Sequence, residues 1–369
     1  MKLKRMLYLL LLLLLSTSGC WDVRDVNSMA FAVSIGIDQP ADPSTAKYKV
    51  TLEFANPVPG KPIPQSLISS AEGQSIHQAV QRIQASISRT ISFSHLRVLV
   101  VGELLARERD FKDISNYLMK NPEVALRLRL LFIEGDEARG LFSIKPKYGQ
   151  LLASELVAMG ELQQQLSLVR TNHFYTFWLN LKNSNGTALA SRAILKDEKK
   201  TFAREGAALY KNWKLIAWLD GADAQAANWL VQKTRAVVVT NDGGISFTYQ
   251  VSKTDTQITP EMKDGKLSFL VKVATVGMVM EETGGDLDFS KEKNIKKVET
   301  LFTKTIKQQI ESAISKSQRQ LQIDYLGFGK TFKQYQPKIF KSLNWPEVYP
   351  KIPVTVEVHC KVNSTGLQT

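Results

Sequence analysis

Cysteine and histidine are scarce in this chain, which has two cysteines and four histidines among 369 residues. Two cysteines cannot build a disulfide framework, and four scattered histidines do not provide a histidine-rich metal site. Acidic residues are also outnumbered, because 35 Asp and Glu stand against 48 Lys and Arg and leave a net charge of +13. With 44% apolar and 22% charged residues, the composition excludes wholesale disorder, fibrous repeats and polytopic membrane proteins. It indicates a basic globular protein.

Motifs of enzyme chemistry are also missing. Gly329-Lys330-Thr331 matches the last three residues of a phosphate-binding loop. The first glycine of such a loop would be residue 324, but this chain has Asp324 there. The Gly-x-Ser-x-Gly motif of serine hydrolases is absent, and no two histidines have the spacing of a metal-binding pair. The sequence therefore predicts no enzyme, no catalytic residues, no metal site and no cofactor.

One long apolar run is present, near the N-terminus. Positive charges within residues 2–5 precede ten apolar residues, Met6–Leu15, and small residues then lead to Cys20. This is the anatomy of a signal peptide, and the run is too short for a membrane span of about 20 residues. Cys20 resembles the cysteine of a bacterial lipobox, although Thr17 stands where leucine is usual. We predict a lipoprotein signal peptide over residues 1–19 and lipidation of Cys20, with diacylglyceryl and palmitate; a plain secretory signal is the alternative.

The first half of the mature chain predicts a mixed α/β domain over residues 20–190. Alternating apolar residues indicate half-buried strands at Met29–Asp38 and within 48–54, and helical spacing follows over 76–87. A strand–helix–strand pattern over 96–132 predicts two parallel strands with the crossover helix on one face.

The second half predicts an α+β domain over residues 191–369, in which strands pack against one long helix. Hairpins precede a helix of about thirty residues that begins near Ser290, and Val354–Val362 forms a final strand. Asp324–Gly329 is predicted to be a structural stop of the long helix and not a catalytic loop, because glycine supports the positive φ that helix exits need. A small middle domain, 191–260, followed by a domain over 261–369 is the alternative. The predicted fold class is α+β or mixed α/β, multidomain, with mixed and antiparallel sheets and the long helix packed on the C-terminal sheet.

The final strand also defines the environment of the second cysteine. Cys360 shares one face of the alternating pattern with the valines from Val354 to Val362, while charged and polar residues take the other face. We therefore predict a buried thiol that packs as a small hydrophobic side chain, without reactivity.

Positive charge is concentrated in one stretch of the second half. Lys291–Lys341 contains twelve Lys or Arg and four Asp or Glu, a net of +8. An exported protein does not meet the chromosome, so nucleic acid is not expected as a partner, whereas an anionic membrane or an acidic subunit fits this charge. The candidate contact residues lie on the long helix, opposite its apolar face: Lys293, Lys296, Lys297, Lys304 and Lys307. A solvated helix face without a partner is the alternative.

Several motifs follow one another along nearly the whole chain. The N-terminal half has Cys20-Trp21-Asp22, Ser34–Asp38, Ser94–Glu103 and Leu105-Ala106. The C-terminal half has Asn228-Trp229-Leu230, Gln320, Asp324, Gly327-Phe328-Gly329, Tyr335, Trp345, the valine strand and Gly366. Taken together, these motifs resemble the Ger(x)C family, the C-subunit lipoproteins of bacterial spore germinant receptors.

The resemblance implies a function as well as a fold. Such proteins are non-enzymatic lipoproteins on the outer face of the inner spore membrane, work beside two integral-membrane subunits in nutrient sensing, and have a mixed α/β body of three domains. The expectation is a membrane-anchored subunit of a germinant receptor that acts in spore germination. A lipoprotein that captures a small nutrient, or a scaffold on the membrane surface, remains an alternative.

Cys20 is expected to become the acylated first residue of the mature protein. Mass spectrometry of the N-terminal peptide from membranes should show diacylglyceryl on Cys20. Cys20→Ala should release the body from the membrane, because the lipid chains supply the anchoring. An unmodified N-terminal peptide that begins at another residue would contradict the lipid anchor.

Overall fold

The computed structural model describes residues 28–57, 65–148, 151–164, 173–183, 186–198, 200–231 and 235–365. The predicted signal peptide, Cys20, Trp21 and Gly366 lie outside these ranges. Within them, no helix is both long enough and apolar enough to cross a membrane.

In the described chain, the first sheet contains nine strands. These are β1 (Met29–Asp38), β2 (Tyr48–Asn56), β3 (Gln65–Gly73), β4 (Thr90–Ser92), β5 (Val98–Gly102), β6 (Arg129–Glu134), β7 (Thr187–Lys196), β8 (Thr201–Lys211) and β9 (Lys214–Leu219). The accompanying helices are α1 (Ile76–Gln84), α2 (Glu103–Glu108), α3 (Lys112–Lys120), α4 (Ala138–Phe142), α5 (Leu152–Gln164) and α6 (Phe174–Asn183). The order across the sheet is β3-β2-β1-β5-β6-β7-β8-β9, and β4 pairs with the start of β1.

Parallel pairing runs through the middle of this sheet. Strands β1, β5, β6 and β7 are parallel neighbours, and β2, β3, β8 and β9 add antiparallel pairs on the two sides. The predicted crossover is confirmed, because α2 and α3 connect the parallel strands β5 and β6. Both faces are covered: Ile35 and Ile37 of β1 pack with α1, α3 and α6, while Val33 packs with α4 and α5. Burial on both faces explains the continuous apolar run Val98–Val101.

Local sequence determines where α1 begins. The Ser75 hydroxyl accepts the Gln78 N–H at 3.1 Å, and the Gln78 side chain accepts the N–H of Gln74 at 2.7 Å. These bonds satisfy N–H groups that the first turn leaves without partners. Ile76 and Ile83 share the buried face, as their helical spacing predicts.

In the described chain, the second sheet contains four strands, β10 (Val237–Asp242), β11 (Ile245–Lys263), β12 (Lys266–Thr283) and β13 (Val354–Ser364). Strands β10, β11 and β12 form an antiparallel meander, and β13 pairs parallel to β12. The remaining helices are α7 (Gly221–Val231), α8 (Glu292–Ser315), α9 (Phe328–Tyr335), α10 (Pro337–Ser342) and α11 (Trp345–Val348). A π-helical turn, Lys316–Gln320, extends α8.

The long helix α8 packs on one face of the second sheet. Its Val298, Phe302, Ile306 and Ile310 are buried in one core with the inward-facing residues of β11, β12 and β13. This packing, together with the mixed first sheet, confirms the predicted fold class of mixed α/β and α+β layers with a long helix on the C-terminal sheet.

The first sheet continues past the predicted division of the chain. Residue 190 lies inside β7, so the sheet takes strands from both the 20–190 and the 191–369 segments. The division at this residue, and the small middle domain over 191–260, stay predictions.

A buried carboxylate joins α5 to the first sheet. Glu53 of β2 is 0% exposed, and its two oxygens accept the N–H groups of Leu152 at 2.7 Å and Ala153 at 3.0 Å. The hydroxyls of Ser34 and Ser66 donate to the same carboxylate at 2.7 and 3.0 Å. Four donors and the positive end of the helix dipole offset the cost of burying this charge.

Candidate functional site

The predicted lysines form one exposed face of α8. Lys293, Lys296, Lys297, Lys304 and Lys307 are all exposed. At 100° per residue, the five side chains fall within an arc of about 100°, opposite the buried face of the helix. We call these five residues the lysine face. Cys20, the other predicted site residue, lies outside the described ranges.

Ion pairs occupy part of the lysine face. Lys296 lies 2.7 Å from Glu292, Lys297 lies 2.8 Å from Asp242 at the β10–β11 turn, and Lys307 lies 3.9 Å from Glu311. Solvent screens exposed pairs of this kind, so they contribute little to stability and can exchange partners. Among the described residues, no carboxylate lies within 4.0 Å of the Lys293 or Lys304 ammonium. The face therefore keeps a net positive charge.

Side chains beside the lysine face hold α8 to the last strand. Thr303 accepts the N–H of Cys360 at 3.3 Å, and Glu299 accepts the N–H of Val362 at 2.9 Å. Cys360 itself is 9% exposed, and burial raises the pKa of its thiol. The predicted buried cysteine is confirmed, and its raised pKa disfavours the reactive thiolate.

The motif residue Asp324 is the centre of a second buried cap. Its carboxylate accepts N–H groups from Gly327 at 2.9 Å, Phe328 at 3.1 Å and Gly329 at 2.5 Å, and the indole N–H of Trp345 at 3.0 Å. Burial raises the pKa of Asp324. These contacts hold the start of α9 against Trp345 of α11.

The predicted role of this motif needs a correction. The sequence pattern places a stop of the long helix at Asp324–Gly329, but the π-helical turn that extends α8 already ends at Gln320. Gly327 instead precedes α9, with a left-handed φ of 90°. The motif is structural, as predicted, but it begins a helix. A glycine with positive φ can stand at either end of a helix, so the residue types alone do not show whether the motif starts or ends one.

The motif at the end of β1 forms a third cap. Asp38 is 1% exposed, and its carboxylate accepts the N–H groups of Ala138 at 2.6 Å and Arg139 at 3.0 Å, at the start of α4. Burial raises the pKa of Asp38 to about 7. Gly102 of β5 lies against this carboxylate, where a Cβ atom would collide with Asp38 Oδ1.

The neighbouring Glu103 is equally engaged. Its carboxylate accepts the N–H of Gly135 at 2.5 Å, the indole N–H of Trp218 at 2.9 Å and the Arg107 guanidinium at 2.6 Å. Asp38, Glu103 and Asp324 therefore hold helices, strands and turns together.

A cleft of about 320 Å³ lies between the two halves of the fold. Asn180 of α6, Lys330 and Gln334 of α9 contribute polar groups to its wall, and Leu230 and Ile258 contribute apolar ones. Sequence patterning did not predict this cleft, because its lining comes from segments distant along the chain. Within the described ranges, no three His, Cys, Asp or Glu side chains are grouped as metal ligands.

Comparison with known proteins agrees with this fold. The model of the family described as spore germination protein N-terminal domain matches residues 22–193, and that described as spore germination B3/GerAC like, C-terminal, matches residues 205–366. The matches cover most of the chain on both sides of β7. The chain belongs to the Ger(x)C family of spore germination proteins.

Relatives match over almost their full length. Spore germination protein B3 of Bacillus subtilis (strain 168) is 23% identical, with 96% of each chain covered. Spore germination protein KC of the same organism is 23% identical over 98% of this chain and 95% of that protein. The crystal structure of the GerBC protein matches 93% of this chain and 100% of that one, with a TM-score of 0.57 and 20% identity, so the two share a fold.

Gly327→Val should destabilise the protein, because a β-branched residue is strained at a φ of 90°. The expected loss is about 1–3 kcal/mol, read as a lower melting temperature. Gly327→Asn should lose less, since asparagine tolerates this conformation. A Gly327→Val protein that melts like the wild type would contradict the structural role, and one that is stable but inactive in germination would assign a binding role.

Proposed function

We propose that this protein is a non-enzymatic lipoprotein subunit of a nutrient germinant receptor. In this proposal, diacylglyceryl and palmitate on Cys20 hold the protein on the outer face of the inner spore membrane. There it works beside the integral-membrane subunits of the receptor during spore germination. The observation that carries the proposal is the pair of family matches, the first of which begins at residue 22, two residues after the lipobox-like cysteine.

The roles of the motif carboxylates support a non-enzymatic function. Asp38 and Asp324 each accept several backbone N–H groups and are buried. A general acid or base must reach a substrate, and these oxygens are already directed at helix starts. The motifs then preserve the shape of the body, and its surfaces remain for recognition.

We assign the lysine face to contact with a membrane subunit. The five lysines project from a helix whose opposite face is fixed to the second sheet, so they present a rigid array of positive charge. Such an array attracts an acidic surface and improves the rate and orientation of docking. A solute-binding protein has less support, because β10, β11 and β12 form a meander and not a second lobe of parallel β-α-β units.

Replacement of all five lysines of the lysine face by glutamine should leave the protein folded and anchored. It should reduce co-purification with the integral subunits, or slow germination with a given nutrient, because the complementary charge is lost. High salt should weaken the same contact in the wild type.

A matched control removes five exposed lysines elsewhere: Lys253, Lys263, Lys266, Lys272 and Lys351. This control carries the same change in net charge and should associate normally. Unchanged association and response in the lysine-face variant would make that face a solvated surface. Equal losses in both variants would indicate a nonspecific effect of net charge.

A further inference from the structure

The chain enters the first sheet at one definite end of its parallel strands. Ser28 precedes β1, and Met29 pairs with Thr90 at the start of β4. The N–H of Arg97, just before β5, donates to Val33 of β1 at 2.9 Å. The N–H of Arg129, at the start of β6, donates to Arg97 at 2.8 Å. The amino ends of β1, β4, β5 and β6 therefore point toward the same end of the sheet, with β4 beginning opposite Met29 and β5 opposite Ser34 of β1.

Arginines without carboxylate partners collect at this end. Arg89, Arg97 and Arg127 are exposed, and no carboxylate of the described residues lies within 4.0 Å of their guanidinium groups. The nearby Glu123 is turned inward, where it accepts the N–H of Phe93 at 2.8 Å. Glu161 is paired with Arg129 at 3.4 Å. Counting the residues that the structure describes, the end where the chain enters is therefore positively charged.

Aromatic side chains of α6 lie beside these arginines. The N–H of Tyr175 donates to Leu126 at 3.2 Å, which ties the first turn of α6 to the segment before β6. Tyr175 is 41% exposed and stacks on Trp178, with 5.8 Å between the ring centroids. Tyrosine and tryptophan are enriched at the level of membrane headgroups, and here an exposed tyrosine and a half-buried tryptophan lie beside the arginines. We call Arg89, Arg97, Arg127 and Tyr175 the amino edge.

The distance to the lipid anchor limits how the body can be oriented. Eight residue steps separate Cys20 from Ser28, and a fully extended chain spans at most about 3.6 Å per residue. The point where β1 begins is thus within about 29 Å of the anchored cysteine, whatever path the chain takes. Within the amino edge, Arg89 adjoins the residue that pairs with Met29, and Arg97 lies level with Val33, four residues farther along β1.

We propose that the amino edge lies against anionic lipid headgroups of the membrane that holds Cys20. Arg89, Arg97 and Arg127 contact the phosphates, and Tyr175 lies at the headgroup level. The carboxyl ends of the same strands, where Leu104 is 56% exposed, then face away from the membrane. This inference rests on the proposed lipid anchor at Cys20 and adds the orientation of the body.

Fluorescence quenching by a headgroup-attached quencher tests this orientation. The acylated chain carries Ala125→Cys, an exposed position between the arginines, labelled with an environment-sensitive dye. Cys360 is buried and Cys20 is acylated, so neither competes for the label. In vesicles that contain phosphatidylglycerol, we expect strong quenching at this position, and little at a second reporter, Leu104→Cys.

Charge variants identify the cause of the quenching. Arg89→Gln, Arg97→Gln and Arg127→Gln together should reduce quenching at least about threefold, as should high salt or pure phosphatidylcholine. The control Arg139→Gln, Lys196→Gln and Lys200→Gln removes the same charge from exposed positions at the opposite end of the strands. This control should quench like the wild type. Equal quenching at both reporters, or equal loss in both variants, would overturn the proposal.

The experiment also distinguishes a missing lipid anchor, and a contact with protein, from the proposed lipid contact. Flotation with vesicles reports whether the chain is anchored, independently of quenching. If Cys20 is not acylated, a histidine tag in its place, held by a nickel-chelating lipid, supplies the same tether for the quenching test. An amino edge that stays unquenched in vesicles but becomes shielded when the integral subunits are added would be a protein interface, and would overturn the lipid contact.

Discussion

A buried carboxylate that accepts hydrogen bonds from the first N–H groups of a helix is the interaction on which this fold depends. Glu53 holds α5, Asp38 holds α4 and Asp324 holds α9. Each helix start provides several donors and the positive end of a dipole, which offset the desolvation of a buried charge. In the first two cases the bond joins residues about a hundred positions apart, so it fixes a helix onto a distant strand.

This arrangement gives the acidic residues of the motifs shared with the family a structural role. Asp38 closes the Ser34–Asp38 motif, and Asp324 opens the segment with Gly327 and Gly329. Both carboxylates are buried, both have raised pKa values and each lines a cavity, a combination that can mark a catalytic site. Here every contact is to the backbone or to an indole, so the motifs preserve shape. In our proposals, recognition falls to the lysine face and the amino edge.

Periodicity predicted the elements that have one apolar face. The alternation in Met29–Asp38 and Val354–Val362 and the helical spacing of α8 correspond to observed elements. Strand β3 was not predicted, because Gln65–Gly73 is mostly small and polar and lies at the sheet edge, where little burial is required. Glu53 could not be identified from the sequence, since it occupies the polar position of an alternating strand. It is buried only because α5 covers that face.

The candidate surfaces were predictable to different degrees. Helical spacing placed all five lysines of the lysine face together and exposed, since one helix contains them. The amino edge could not be read from the sequence, because Arg89, Arg97, Arg127 and Tyr175 come from four segments that only strand pairing and α6 bring to one end of the sheet. Local patterns thus identify surfaces within one element, and tertiary pairing is needed for the rest.

The most direct test of this account is the free energy of unfolding of Glu53→Gln, compared with Glu261→Gln on the exposed part of β11. The amide of glutamine directs an N–H group at the N–H groups of Leu152 and Ala153, so one or more donors lose their acceptor. The account predicts a loss of about 2–3 kcal/mol for Glu53→Gln and a change within about 0.5 kcal/mol for the control. Equal stabilities of the two variants would contradict the central role of the buried carboxylates.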